Sequence, residues 1–178
     1  MPEQRLPSTT FEDLALPLFD QLYNFARWMA KDDAEAEDLV QETYAKALRG
    51  FSSFQAETNF RAWMYRILRN AFLSSRTGLK ATVNFDEEEH GEAWPARSSP
   101  ESLLIEQADR ELVQQGLAQL PVHFREILLL CEVEEMSYRE ISETLGIPVG
   151  TVMSRLSRAR RALREVLLHK GRGERHGM

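Results

Sequence analysis

In the stretch from Pro148 to Met178, Met153, Ser154, Ser157, Arg158 and Arg161 recur at intervals that gather them on one side of a helix. They offer hydroxyls, guanidinium forks and one apolar contact. The chemistry such a set supports is recognition, because guanidinium groups neutralise phosphates and, when bidentate, read guanine edges in a major groove. The opposite side carries Val152, Leu156, Ala159 and Leu163. Arg155 falls beside that apolar stripe, which leaves two readings open: a DNA contact, or an ion pair with an acid inside the module. The same stretch holds eight Lys/Arg against two Asp/Glu. A second basic island runs from Phe60 to Lys80, with five Lys/Arg and no Asp/Glu. On helical spacing Arg66, Arg69, Asn70 and Leu73 share a face there, against Phe60, Met64, Ile67, Leu68 and Ala71. Asn70 adds both a donor and an acceptor to a cationic surface. A third face, Asp38, Gln41, Glu42 and Ala45, lies opposite Val40, Tyr44 and Ala47 and makes an acidic surface suited to docking.

Helices must position all three faces. Apolar residues recur at spacings of three and four from about Phe11 to Arg76, as in Leu14, Leu18, Leu22, Phe25 and again Val40, Tyr44, Ala47, Leu48, without the strict alternation of strands. A turn-like stretch, Phe51 to Asn59, separates two of these helices, and Gly78 marks an end. From Ala81 to Glu111 there are nine acidic and two basic residues, and periodicity is lost as far as about Pro100, as expected of a connector too polar to fold alone. Helical spacing resumes at about Ser102 with Leu103, Leu104, Leu112, Val113, Leu117 and Leu120. Pro121 suits the first turn of a new helix, whose buried side is expected to be Phe124, Ile127, Leu128 and Cys131. Ser137 and Glu140 then form a capping box, Gly146 ends a short helix, and Ile147 and Pro148 turn the chain into the basic one. This is a helix-turn-helix. The fold class expected is all-α, with two small helical domains at 8–80 and 105–170, a flexible acidic linker at 81–104 and a tail at 171–178.

Bulk properties narrow the function. With 43% apolar and 28% charged residues, and no run near the roughly 20 apolar residues of a membrane helix, the chain reads as soluble and without direct membrane insertion. Its first residues lack the basic start and apolar core of a secretory signal, so the expected compartment is the cytoplasm. A net charge of -6 argues against coating nucleic acid unaided. Cys131 is the only cysteine, which excludes an internal disulfide framework and a multi-cysteine zinc site, and it is expected to be a small buried apolar residue. Asp86, Glu87, Glu88, Glu89 and His90 lack ligand spacing on a rigid element, and no nucleophile or phosphate loop accompanies them. No catalytic residue, metal or cofactor is therefore expected.

The stretch LPVHFREILLLCEVEEMSYREISETLGIPVGTVMSRLSRARRAL resembles the promoter-binding C-terminal domain of extracytoplasmic-function (ECF) sigma factors of the sigma-70 family, and AEAEDLVQETYAKAL with NFRAWMYRILRN resembles their N-terminal domain. The resemblance covers about Phe11 to Leu168, with both modules in the family's order. It implies that the Asp38, Gln41, Glu42 and Ala45 face docks on the clamp helices of the polymerase largest subunit. It implies that Arg66, Arg69, Asn70 and Arg76, with Phe54 and Asn59 from the preceding loop, meet the minus-10 element. Phe60 and Trp63 have two readings, core residues or stacking platforms, and as aromatics of a helix they are expected in the core. The resemblance implies that Met153, Ser154, Ser157 and Arg158 read the minus-35 element, with Thr151, Arg155 and Arg161 beside them on the DNA. Several relatives carry Lys or Arg where this chain has Met153, so their minus-35 sequence does not transfer. The partners implied are core RNA polymerase, promoter DNA and, as in many relatives, an anti-sigma factor. The competing reading is a stand-alone helix-turn-helix regulator, although the N-terminal half has no dimerising or ligand-sensing signature.

Overall fold

A computed structural model describes residues 9–30, 32–77 and 110–173. The chain divides into two compact units, Met1–Ala81 and Thr82–Met178. Among the described residues all regular structure is helical. The expected acidic linker, Gly78, the acid run at Asp86 to Glu89 and the helix start near Ser102 lie outside the described residues.

In the first unit, Thr10 and Asp13 form a reciprocal capping box that starts helix α1, Phe11–Ala15. A 3-10 turn, Leu16–Leu18, leads into α2, Phe19–Met29. Asp32 accepts the Glu35 amide at 2.8 Å and starts α3, Asp33–Gly50. After a second 3-10 turn, Phe51–Ser53, α4 spans Phe60–Thr77. Helix α3 packs on both α2 and α4. Leu22, Phe25 and Met29 meet Leu39 and Val40 and, from α4, Met64, Tyr65, Leu68 and Phe72, all essentially inaccessible to water. Phe25 and Tyr65 meet edge to face at 5.3 Å. The expected stripe on α3 needs one correction: Leu48 is 56% exposed. The buried stripe runs through Ala36, Val40, Thr43 and Ala47, and Leu48 falls about 120° from its centre. Thr43 is tolerated in the core because its hydroxyl donates to the Leu39 carbonyl at 2.7 Å.

In the second unit, α5 is Arg110–Gln119, α6 is Val122–Leu128 running directly into a π turn at Leu129–Val133, α7 is Tyr138–Leu145 and α8 is Val149–Gly173. Helix α8 is the spine against which α5, α6 and α7 pack. Helix α5 approaches it closely at Gly116, where a Cβ would stand 3.0 Å from Leu167 Cδ2 and 3.2 Å from Leu163 Cδ1. Arg125 donates to the Leu117, Ala118 and Leu120 carbonyls at 2.9, 3.0 and 3.4 Å, satisfying acceptors that the end of α5 leaves open. Pro121 stands at the N-cap of α6, one residue before its first turn. The buried side of α6 also differs from expectation. Ile127 and Leu128 are buried, but so are Leu129 and Leu130, whereas Phe124 and Cys131 are only half-buried. Residues 126–130 are buried in succession, so the chain is enclosed on every side there and not along one stripe. Beyond them the Glu134 amide donates to the Leu129 carbonyl five residues back, and this widened turn breaks the three-and-four spacing at Cys131.

Candidate nucleic-acid interface

The helix-turn-helix is built from short-range bonds. The Glu140 amide donates to Ser137 Oγ at 3.2 Å and the Ser137 amide donates to Glu140 Oε2 at 2.9 Å, the expected capping box. Helix α7 buries Ile141, Thr144 and Leu145 and ends at Gly146, whose φ of 68° lies in the left-handed region that glycine enters without strain. The Gly146 and Ile147 amides donate to the Ser142 carbonyl at 2.9 and 3.2 Å, and Ser142 Oγ donates to the Ile147 carbonyl. Pro148 then accepts from Thr151 and Val152 to open α8.

On α8, Val152, Leu156, Ala159 and Leu163 are buried to within 1%. Thr151, Met153, Ser154, Ser157 and Arg158 are partly exposed and Arg161 is exposed. Ser154 Oγ donates to the Thr151 carbonyl at 3.2 Å. Arg155 is half-buried. One acid-paired arginine of this helix is Arg160, which sequence reasoning did not single out. Its Nη2 and Nε lie 2.6 and 2.9 Å from Glu132 Oε1, with the two side chains 17% and 20% exposed. Arg155 and Arg160 flank the buried stripe about 70° to either side, so spacing alone could have flagged both. Burial works against the charge of Arg160, but the hydrogen bond and charge of Glu132 outweigh it and hold the guanidinium above its ordinary pKa. Arg160 Nη2 also reaches Cys131 Sγ at 3.8 Å. Burial, then the charge of Glu132, pushes that thiol's pKa up and keeps it protonated.

In the first unit, Arg66 and Asn70 are exposed and Arg69 and Leu73 half-exposed on the outer side of α4. Arg76 is engaged elsewhere: its Nη2 contacts Glu35 Oε1 at 3.0 Å and its guanidinium lies 4.8 Å from the Phe72 ring, tying the end of α4 to the start of α3. Asn59 caps α4, its Oδ1 accepting the Ala62 amide at 3.1 Å. Phe54 belongs to an aromatic cluster, 5.2 Å from Phe60 and 5.1 Å from Trp63. Phe60 and Trp63 are half-buried in that cluster and not fully enclosed as core. Between Phe54 and Asn59, residues 55–58 are exposed. Asp38, Gln41, Glu42 and Ala45 form a continuous exposed face of α3, with Glu42 paired to Lys46 one turn on. Among the described residues no group of His, Cys, Asp and Glu is placed to hold a metal ion, and no helix is long and apolar enough to cross a membrane.

Two helical units, the second ending in a helix-turn-helix with a cationic outer face, match two family models in sequence order. Sigma-70 region 2 covers residues 17–82, and sigma-70, region 4 covers residues 110–163. The ECF RNA polymerase sigma factor SigW of Bacillus subtilis is 32% identical over 165 residues, covering 88% of each chain. The ECF RNA polymerase sigma factor SigE of Mycolicibacterium smegmatis is 32% identical over 159 residues, which span 89% of this chain and 62% of that longer one. Among solved structures, the sigma factor RpoE in complex with the anti-sigma factor NepR from Bartonella quintana superposes with a TM-score of 0.68 at 31% identity, covering 88% of this chain and 96% of that one. CnrH in complex with the cytosolic domain of CnrY gives 0.65 at 25% identity, covering 88% and 86%. The chain belongs to the sigma-70 family of RNA polymerase sigma factors, in its extracytoplasmic-function group.

Proposed function

We propose that this protein binds core RNA polymerase, directs it to specific promoters and assists their opening, with three faces dividing the work. The exposed α3 face of Asp38, Gln41, Glu42 and Ala45 docks on the clamp helices of the largest subunit, acidic charge giving orientation and encounter rate. Arg66, Arg69 and Asn70 of α4, with the loop carrying Phe54 and Asn59, take the minus-10 strand. Cations hold phosphates, and Asn70 meets the edge of an extruded base. Arg76 contributes from the margin, because its guanidinium already serves Glu35. Helix α8 lies in the minus-35 major groove with Met153, Ser154, Ser157 and Arg158 toward the bases and Thr151, Arg155 and Arg161 toward the backbone. The observation that carries this reading is the outer face of α8, held on a capped turn and backed by a fully buried stripe. An anti-sigma factor is a further candidate partner, since RpoE and CnrH were each solved with a protein partner. The working compartment is the cytoplasm, where core polymerase resides.

Run-off transcription with purified core polymerase tests the reading. The protein should confer promoter-dependent initiation, and reversing Asp38 and Glu42 to Lys should abolish it by weakening core binding while circular dichroism stays unchanged. Tight promoter binding by the free protein, with no run-off product, would favour a stand-alone regulator instead.

A further inference from the structure

The aromatic cluster beside the 51–59 loop is not self-contained. Phe11, forty residues upstream in sequence, meets Phe51 at 5.4 Å and Phe60 at 6.3 Å, both edge to face. Phe51 in turn stacks on Phe54 at 6.2 Å with only 9° between the rings. Phe11 thus touches the residue that opens the loop and the residue that starts α4 after it. Its own position is fixed from two sides. The Thr10 and Asp13 capping box sets the start of α1. Tyr44, on the inward side of α3, meets the Phe11 ring edge to face at 6.4 Å and donates its hydroxyl to the Ala15 carbonyl at 2.6 Å. That bond ends on the last residue of α1, and Ala15 itself is fully buried. The loop ends are therefore anchored while residues 55–58 between them remain exposed.

Edge-to-face contacts are directional, so a ring held by two neighbours constrains where they stand in a way that a filler of equal volume does not. A loop that must receive an unstacked base gains affinity when its shape is set beforehand, since ordering then costs nothing at the moment of binding. We propose that Phe11, clamped by Tyr44, is a positioning residue for the 51–59 loop. The segment before the docking helix thereby sets the loop's competence to take the minus-10 strand. This rests on the proposed role of that loop.

The test uses holoenzyme and a fluorescent non-template oligonucleotide spanning the minus-10 element of a promoter that the protein transcribes in run-off assays. Phe11→Ala should lower strand affinity about tenfold, leave core affinity within about twofold, and be rescued by Phe11→Tyr, which keeps the ring. Asn70→Ala serves as the reference. If it loses the strand while Phe11→Ala binds like wild type, the positioning role is wrong and the minus-10 reading of α4 stands. If both bind like wild type, the DNA reading of this unit falls, and the proposal with it. Equal loss of core and strand affinity in Phe11→Ala would reduce Phe11 to a folding residue and overturn the proposal. Should that variant not fold, Phe11→Leu decides, because it keeps apolar volume without ring edges. Strand loss at an unchanged thermal midpoint supports positioning, and wild-type strand affinity overturns it.

Discussion

The outer faces of α4 and α8 are both cationic, yet they are mounted differently. Helix α8 stands on Val152, Leu156, Ala159 and Leu163, is entered through a capped turn with a left-handed glycine, and is latched on its flank by Arg160 and Glu132. Helix α4 has an equally dry inner side, but its leading end runs into half-exposed rings and a loop with an exposed tip. The contrast fits what each surface is proposed to meet. A duplex groove presents fixed edges, so a reading helix profits from a fixed azimuth. An extruded strand is flexible and is gripped by rings and chain that close around it.

The contrast can be broken most directly at the cores. Leu156→Ala should cost about 2–5 kcal/mol, because a fully buried side chain leaves a cavity. Phe60→Ala should cost no more than about half of the 3–5 kcal/mol typical of an enclosed phenylalanine. Hydrogen exchange of core amides, followed separately in each unit, measures both. Equal costs would mean that the rings around the loop are ordinary core.

Function sharpens the comparison next. Arg158→Ala should weaken closed-complex formation by about 1–3 kcal/mol if the guanidinium makes a bidentate base contact, whereas Asn70→Ala should mainly impair opening. Permanganate footprinting on a normal and a pre-melted promoter separates them. Pre-melting should bypass the opening defect of Asn70→Ala, though not its weaker hold on the strand, and leave the defect of Arg158→Ala. Full rescue of both variants would erase the division of labour.

The smallest effect concerns the turn before α7. Glu135 has a φ of 52°, a left-handed conformation that costs a side chain energy and glycine little. Glu135→Gly should stabilise the second unit by about 0.5–1 kcal/mol after the extra chain entropy of glycine is offset. A lower exchange stability in that unit would show that Glu135 is held by more than its backbone geometry.

Features written in neighbouring residues were legible from sequence: helical periodicity, the Ser137 and Glu140 box, the glycine stop, and the buried and outer sides of α8. Each depends on interactions within a turn or two. What escaped depends on distant partners. Arg76 meets Glu35 and Arg160 meets Glu132 across 41 and 28 residues. Phe11 joins the loop cluster, and Arg125 closes α5, through tertiary packing that no local period encodes. Leu48 misled because an apolar residue fits a three-and-four count even when a hydroxyl-bearing neighbour, Thr43, takes the buried place. On α8 the sequence reading placed Arg155 beside the stripe and passed over Arg160, whose pair depends on the distant Glu132.

The π turn at Leu129–Val133 acts as an inserted phase shift. A regular helix rotates about 100° per residue, so an extra residue absorbed in a wide turn changes the direction of everything on one side of it relative to the other. Here that offset brings Glu132 to Arg160 while Leu129 and Leu130 stay within the core. Deleting one residue from the turn would let the ordinary hydrogen-bond ladder resume and give a more regular helix. It would also swing Glu132 away from Arg160 by roughly a quarter of a circle, leaving α8 oriented by its buried stripe alone.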